Sequence, residues 1–421
     1  MSLAALRVPH SPPLPSPQAW TTLLGPSVSV VDPRVGPVAA YHNGHTYIAY
    51  LNGDGEIRVA SYSHSTQTIT VSPAILSGFG TDPDRHIAAA IIVRQSDHKL
   101  LLVCSEHATS NMHVVISSNA EDVSSWGSDN NIGSSLGGSS LYTYATLHQL
   151  SGESGKVYLF WRDGDADGSP NPALLRCATS TDGGATWGTP FTIYSAGAGL
   201  TPYWSIISDG NSRIDFAATD GDASSGDTAS LYHFYYTGGN YYKSDGTQIT
   251  ATRPYVPGNL TKVHDGATNG SLQVPWGISS SGPTLTWIAY DPAGSGSDTI
   301  YWYGRFSGGS WSVHQIGDTG SLPSNVMGGI AIDRNDASKL YVGKTVSGVW
   351  QMFLYQTSDG GATWTTTQLT HDTDQPNTWP FTPINAASGL SCAWLYGPQT
   401  PASTYSFGGQ MRGYPNPISA F

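Results

Sequence analysis

Residues Thr181–Gly188 read TDGGATWG, and Ser358–Thr365 read SDGGATWT. Each follows an apolar, strand-like run, ALLRCATS ahead of the first and WQMFLYQT ahead of the second. Taken with Ser180 or Thr357, each fits the Asp-box pattern S/T-x-D-x-G-x-x-W. The pattern describes a hairpin turn. The aspartate (Asp182, Asp359) caps turn amides, a glycine takes the positive-φ position, and the tryptophan (Trp187, Trp364) packs back between neighbouring sheets. Such a turn belongs at an outer rim and carries no chemistry of its own.

The two tryptophans lie 177 residues apart, which is three units of 59. Weaker copies fill the interval and extend beyond it: SSNAEDVSSWG ending near Trp126, YYTGGNYYKSDG around Tyr241, and RFSGGSWSV with Trp311. Steps of roughly 50–70 residues are a little longer than ordinary four-strand propeller repeats. Seven units can be laid along the chain, starting near Val38, His86, Tyr142, Tyr203, Ser271, Val326 and Trp379. The expected fold is therefore all-β, a seven-bladed β-propeller forming one domain over residues 1–421, with 1–18 a Pro-rich leading segment. The last unit, ending in YSFGGQMRG, needs a strand from the N-terminal segment to complete its sheet and close the ring. A six-bladed ring and a two-domain sandwich are the competing architectures.

Composition agrees. The chain has 421 residues, of which only 11% are charged, with 49 Gly, 23 Tyr and 13 Trp, and glutamate occurs only at Glu56, Glu106, Glu121 and Glu153. That mix favours strands and tight turns over helices. A net charge of −12 argues against a nucleic-acid partner. No apolar run is long enough for a membrane helix. Cys104, Cys177 and Cys392 are too few and too scattered for a disulfide framework or a zinc pattern, and they read as buried thiols with one disulfide still open. Low charge, abundant aromatics and two sequons, at Asn259 and Asn269, suit a secreted protein, although no signal peptide is visible. A monomer is expected.

In a propeller, the ends of the inner strands meet at the mouth of a central channel. In the second unit, His86 opens the inner strand and His107 follows the next strand. An up-strand, a turn near Gln95–Lys99 and a down-strand return the two to the same end. In the third unit the same geometry returns Arg162 beside Tyr144. The fourth unit opens with Tyr203 and Trp204. These positions, drawn from adjacent units, make His86, His107, Tyr144 and Arg162 the catalytic candidates. Tyr203, Trp204, Trp276 and Trp379 are the candidates for stacking on sugar. DGDADG (Asp163–Gly168) looks like the start of a calcium loop through Asp163, Asp165 and Asp167, but Leu174 stands where an EF-hand needs Glu. A solvated acidic turn is the alternative. His42 and His45 in YHNGHTY mark a possible second site at the other end of the first unit.

The chain resembles the BNR-repeat propeller polysaccharide lyases, the group of ulvan lyases and of lyases acting on rhamnosyl-glucuronate ends of gum arabic. The resemblance rests on Asp84-Arg85-His86, on His107, on Thr143-Tyr144 and on Arg162-Asp163-Gly164. It departs after the first histidine, where the family often has Asn and this chain has Ile87. It implies that the His, Tyr and Arg positions form an active site and that the substrate is an anionic, uronate-containing glycan. It also implies β-elimination at an α-L-rhamnose-(1→4)-D-glucuronate linkage, with no cofactor required.

The residue types suit that chemistry on their own. Arginine can neutralise a uronate carboxylate by a bidentate contact, so that the C5 proton becomes acidic. Histidine can take that proton, and histidine or tyrosine can protonate the leaving O4. Which histidine is the base is left open. The competing functions are an ulvan lyase, a propeller glycoside hydrolase (rhamnosidase or sialidase-like) and a non-catalytic glycan-binding propeller. Hydrolysis generally needs paired carboxylates, which a chain so poor in Glu would have to draw mostly from Asp.

Overall fold

The structure, a computed structural model, describes residues 21–30, 36–80, 86–87, 89–164, 172–223, 226–279, 282–292, 298–318, 328–386, 389–398 and 409–414. Runs rich in Val, Ile, Tyr, Phe and Trp form antiparallel strands grouped in fours, arranged as a seven-bladed β-propeller. From the channel outward, the second blade is Ala89–Val93, Lys99–Ser105, Met112–Ala120 and Asn130–Asn131. The third is Tyr142–Leu150, Lys156–Asp163, Leu174–Ser180 and Phe191–Ser195. The fourth begins with Trp204–Ser208 and Arg213–Thr219.

Six of the expected unit starts fall within three residues of an observed inner strand, at Ala39, Ala89, Tyr142, Trp204, Leu272 and Asn377. Val326 lies outside the described residues, and its blade begins at Ile330. The ring closes as the sequence requires. Thr21–Val30 forms the outermost strand of the last blade, with Thr21 opposite Gly413 and Thr22 opposite Arg412.

The two Asp boxes occupy the same place in the third and sixth blades, the hairpin between the third and fourth strands. Asp182 accepts from the Thr186 amide at 2.9 Å, and Asp359 from the Thr363 amide at 2.9 Å. Gly184 sits at φ +93°, where a Cβ would lie 2.8 Å from the Leu101 side chain of the preceding blade. Gly361 at φ +101° approaches Tyr303 in the same way. Trp364 then stacks edge-on against Tyr303, with ring centroids 5.1 Å apart. Trp126 and Trp311 occupy the corresponding hairpins of the second and fifth blades.

The core lies between blades. Leu101, Val103, Leu147, Leu159 and Trp161 join the second to the third, and Phe160, Phe216 and Phe234 join the third to the fourth. Each such side chain contributes about 1.5–3 kcal/mol on burial. This packing fixes neighbouring blades rigidly, and so fixes the loops at their ends. Cys104, Cys177 and Cys392 are buried free thiols, which settles the disulfide question for these three residues.

Candidate functional site

The inner hairpin of the second blade pairs Ala89 with Cys104 and Val93 with Leu100. His86 lies three residues before its first strand and His107 two residues after its second, so the hairpin returns them to the same end. Their rings stack with centroids 3.8 Å apart and planes inclined by 17°. Both are partly exposed.

The loop carrying His107 is stitched to the third blade. The Ala145 amide donates to Ser105 Oγ at 3.2 Å, the Ala108 amide to Thr143 Oγ1 at 2.9 Å, and the Tyr142 amide to the Thr109 carbonyl at 2.7 Å. Ala108 itself is left-handed (φ 51°). Glu106 accepts from Asn111 Nδ2 at 2.8 Å and faces His113 at 3.3 Å, which braces the outer side of the same loop.

Tyr144 stands at a bulge. The inner strand of the third blade pairs Thr143 with Arg162 and then Thr146 with Phe160, so the register slips between them. Tyr144 adopts φ +60° there, a conformation rare for an aromatic residue and of the kind that costs about 1–3 kcal/mol where the surroundings impose it. The bulge re-aims the tyrosine ring, which an in-register strand would direct elsewhere. His86 and Tyr144 ring centroids are 5.5 Å apart, and Tyr144 and Tyr203 are 5.9 Å apart. Tyr203 is held by its amide, which donates to Thr219 Oγ1 at 2.8 Å.

Arg162 lies beneath the two tyrosines, 2% exposed, with its guanidinium carbon 4.9 Å from the Tyr144 centroid and 5.6 Å from that of Tyr203. Cation–π contact suits the weakly hydrated, planar guanidinium. The result is a continuous row, His107, His86, Tyr144, Tyr203, crossing three blades, with a buried cation under its tyrosine end. Because side chains alternate along a strand, Asp163 turns to the other face. There it accepts from Ser139 and pairs with Arg176 at 2.8 Å.

A family model described as "BNR repeat-containing family member" matches residues 45–319. The chain belongs to this family. No curated protein matches it. Among solved structures, a PL25 ulvan lyase bound to an oligosaccharide of glucuronate and sulfated rhamnose is similar over 94% of both chains, with TM-score 0.67 and 14% identity. The same values hold for a second structure of a PL25 ulvan lyase. Another polysaccharide lyase is similar over 90% of both chains, with TM-score 0.61 and 13% identity.

In this BNR-repeat protein the other expected positions fare differently. Trp204 and Trp379 are 5% and 2% exposed and belong to inter-blade cores. Neither presents an open face to a sugar, which corrects the expectation of stacking there. For Trp204 the reason is alternation: with Tyr203 turned to the mouth, the next residue turns into the core. Trp379 repeats the Tyr144 device, at φ +58° in a strand whose register slips between Thr378 and Phe381, but its bulge feeds the core. The Trp276 side chain lies outside the described residues, as do Asp84, Arg85, Asp165 and Asp167. Asp163, the first residue of the expected calcium loop, has both carboxylate oxygens engaged by Ser139 and Arg176. Sequence reading quoted Thr143 without giving it a positioning role and missed Ser105 and Ala108, because hydroxyl-to-amide contacts between blades leave no pattern in the chain.

Proposed function

We propose that the protein is a polysaccharide lyase that cleaves a rhamnose–glucuronate linkage by β-elimination, at the C4–O4 bond of the glucuronate. The observation that carries this reading is the stacked pair His86 and His107, set beside Tyr144 and next to the buried Arg162. The supporting likenesses are the BNR family and the propeller architecture shared with ulvan lyases.

In this scheme the uronate carboxylate is drawn toward Arg162, whose positive field is weakly screened because the side chain is buried. Neutralising the carboxylate stabilises the carbanion character that develops at C5. One histidine takes the C5 proton. The C4–O4 bond breaks, its electron pair leaves on O4, and a proton from the second histidine or from Tyr144 completes the rhamnose hydroxyl. The other product is a 4,5-unsaturated glucuronate, and no water is consumed. Two adjacent imidazoles can divide the work, one taking a proton while the other supplies one.

Hydrolysis is less well served. The described carboxylates nearest this row in sequence, Glu106 and Asp163, are bound to Asn111 and His113 and to Ser139 and Arg176. On substrate, the net charge of −12 favours the unsulfated rhamnosyl-glucuronate ends of gum arabic over ulvan, since each added sulfate is repelled by the overall field. A secreted location fits such a polymer. Mass spectrometry of the products tests the reaction type. Elimination gives a uronate terminus lighter by one water than the hydrolysed terminus. Finding only the heavier species would replace the lyase with a hydrolase.

A further inference from the structure

At the far end of the hairpin that carries His86 and His107, a second cluster spans the first and second blades. His42 ends the strand Ala39–His42, His98 sits in the turn before Lys99–Ser105, and Glu121 follows Met112–Ala120. Seven residues of strand, at about 3.3 Å each, put it more than about 20 Å from the stacked pair. His42 Nε2 lies 3.1 Å from Glu121 Oε1, and His98 Nδ1 lies 3.8 Å from the same oxygen. The two imidazole centroids are 4.6 Å apart. The ligand atoms of all three residues fall within 4.8 Å of one another.

We propose that His42, His98 and Glu121 bind a single divalent transition-metal ion of the zinc class, which staples the first blade to the second. Two imidazoles and one carboxylate form a familiar three-ligand set for zinc, with water completing the shell. Bond lengths of about 2.0–2.1 Å in a tetrahedron place neighbouring ligand atoms about 3.3–3.4 Å apart. The two measured ligand–ligand distances bracket that value. Imidazole donors select zinc and its neighbours over calcium or magnesium, which want oxygen.

Two further observations separate this cluster from an ordinary surface ion pair. One is the backbone: Asn43, His98 and Glu121 all have positive φ, at 43°, 56° and 57°. Asn43 takes its φ from the two-residue Asn43-Gly44 hairpin turn, whereas His98 and Glu121 are held by specific contacts. The Glu121 amide donates to the His98 carbonyl at 2.9 Å, and Tyr47 Oη donates to the Glu121 carbonyl at 3.2 Å. The other is the outer shell. Asn43 Nδ2 donates to Glu121 Oε2 at 3.2 Å and to Oε1 at 3.4 Å, and so holds the carboxylate whose Oε1 faces both histidines, as second-shell groups orient metal-binding carboxylates. A cavity of about 220 Å³ borders His42 and His98 and leaves room for the water ligand.

The test uses the full chain, stripped with chelator, desalted and titrated with ZnCl₂ by calorimetry and thermal melting. The expected result is one Zn²⁺ per chain and a rise in Tm that Ca²⁺ and Mg²⁺ do not give. Co²⁺ should produce the visible bands of a tetrahedral site. Asn43→Ala should weaken Zn²⁺ binding about 10–100-fold, as loss of an outer-shell partner does, and Glu121→Gln and His42→Ala by at least as much. Absence of Zn²⁺ binding by the wild type would overturn the proposal whatever the variants do. So would wild-type affinity retained in both Glu121→Gln and His42→Ala.

Discussion

Replacing His148 with glutamine is expected to flatten the acid limb of the protein's stability curve. His148 lies on Tyr142–Leu150, 2% exposed, beside the central channel and near Arg334. Burial, reinforced by the Arg334 charge and opposed by a hydrogen bond with the Ile206 backbone, lowers its pKa from 6.5 to about 3. The native ring therefore refuses a proton that the unfolded chain accepts below about pH 6.5. The stability this residue protects is complete above that pH and is lost progressively as pH falls toward 3. At about 1.4 kcal/mol per pH unit, the whole interval corresponds to about 5 kcal/mol, and the step from pH 6.5 to 5 to about 2 kcal/mol. Denaturant unfolding followed by tryptophan fluorescence at pH 7.5 and 5 measures it. The wild type should lose about 2 kcal/mol more than His148→Gln between the two conditions. The comparison holds even if the substitution lowers stability at both, because only the difference is read. Equal losses in the two proteins would refute the argument that a neutral, buried His148 governs this limb. The result also bears on activity, since rates measured below pH 6 mix the chemistry of His86 and His107 with loss of fold.

Other outcomes follow from the same geometry. His86→Ala and His107→Ala should each lower kcat about 10²–10⁴-fold, with unchanged circular dichroism. Arg162→Lys keeps the charge but loses the planar stack under Tyr144 and Tyr203, and kcat/KM should fall at least about tenfold; near-wild-type kinetics would remove Arg162 from the proposed site. Asp359→Ala should lower Tm without changing kcat, because it lies in a rim hairpin. The hydroxyl and amide of Thr363 and the hydroxyl of Thr357 hold the Asp359 carboxyl below its ordinary 3.8. Its contribution is thus present above about pH 4 and lost as pH falls further, so the wild-type and variant melting temperatures should converge in acid.

The ring was readable because its determinants are local. An Asp box needs its own aspartate, glycine and tryptophan, and its two copies mark the same third-to-fourth-strand hairpin in the third and sixth blades. The His86–His107 pair was readable for a related reason: a hairpin returns its ends to each other, and counting residues along it is enough. Tyr144 was legible as a position, but its left-handed bulge was not, because nothing in Thr143-Tyr144-Ala145 demands positive φ. The same holds for Trp379, where an identical bulge serves packing instead. The sequence suggested a second site around His42 and His45. His42 instead meets His98 and Glu121, 56 and 79 residues further on, because the packing of two blades brings together positions that no local pattern links.

The central claim is that this row of rings over Arg162 eliminates across a uronate. Incubating the protein with gum arabic, and separately with ulvan, while following ultraviolet absorbance tests it most directly. A C4–C5 double bond conjugated to the carboxylate absorbs, whereas intact and hydrolysed chains do not. The account predicts a steady rise with at least one polymer, gum arabic first, abolished by His107→Ala. A flat trace with both polymers from folded wild-type protein would contradict it.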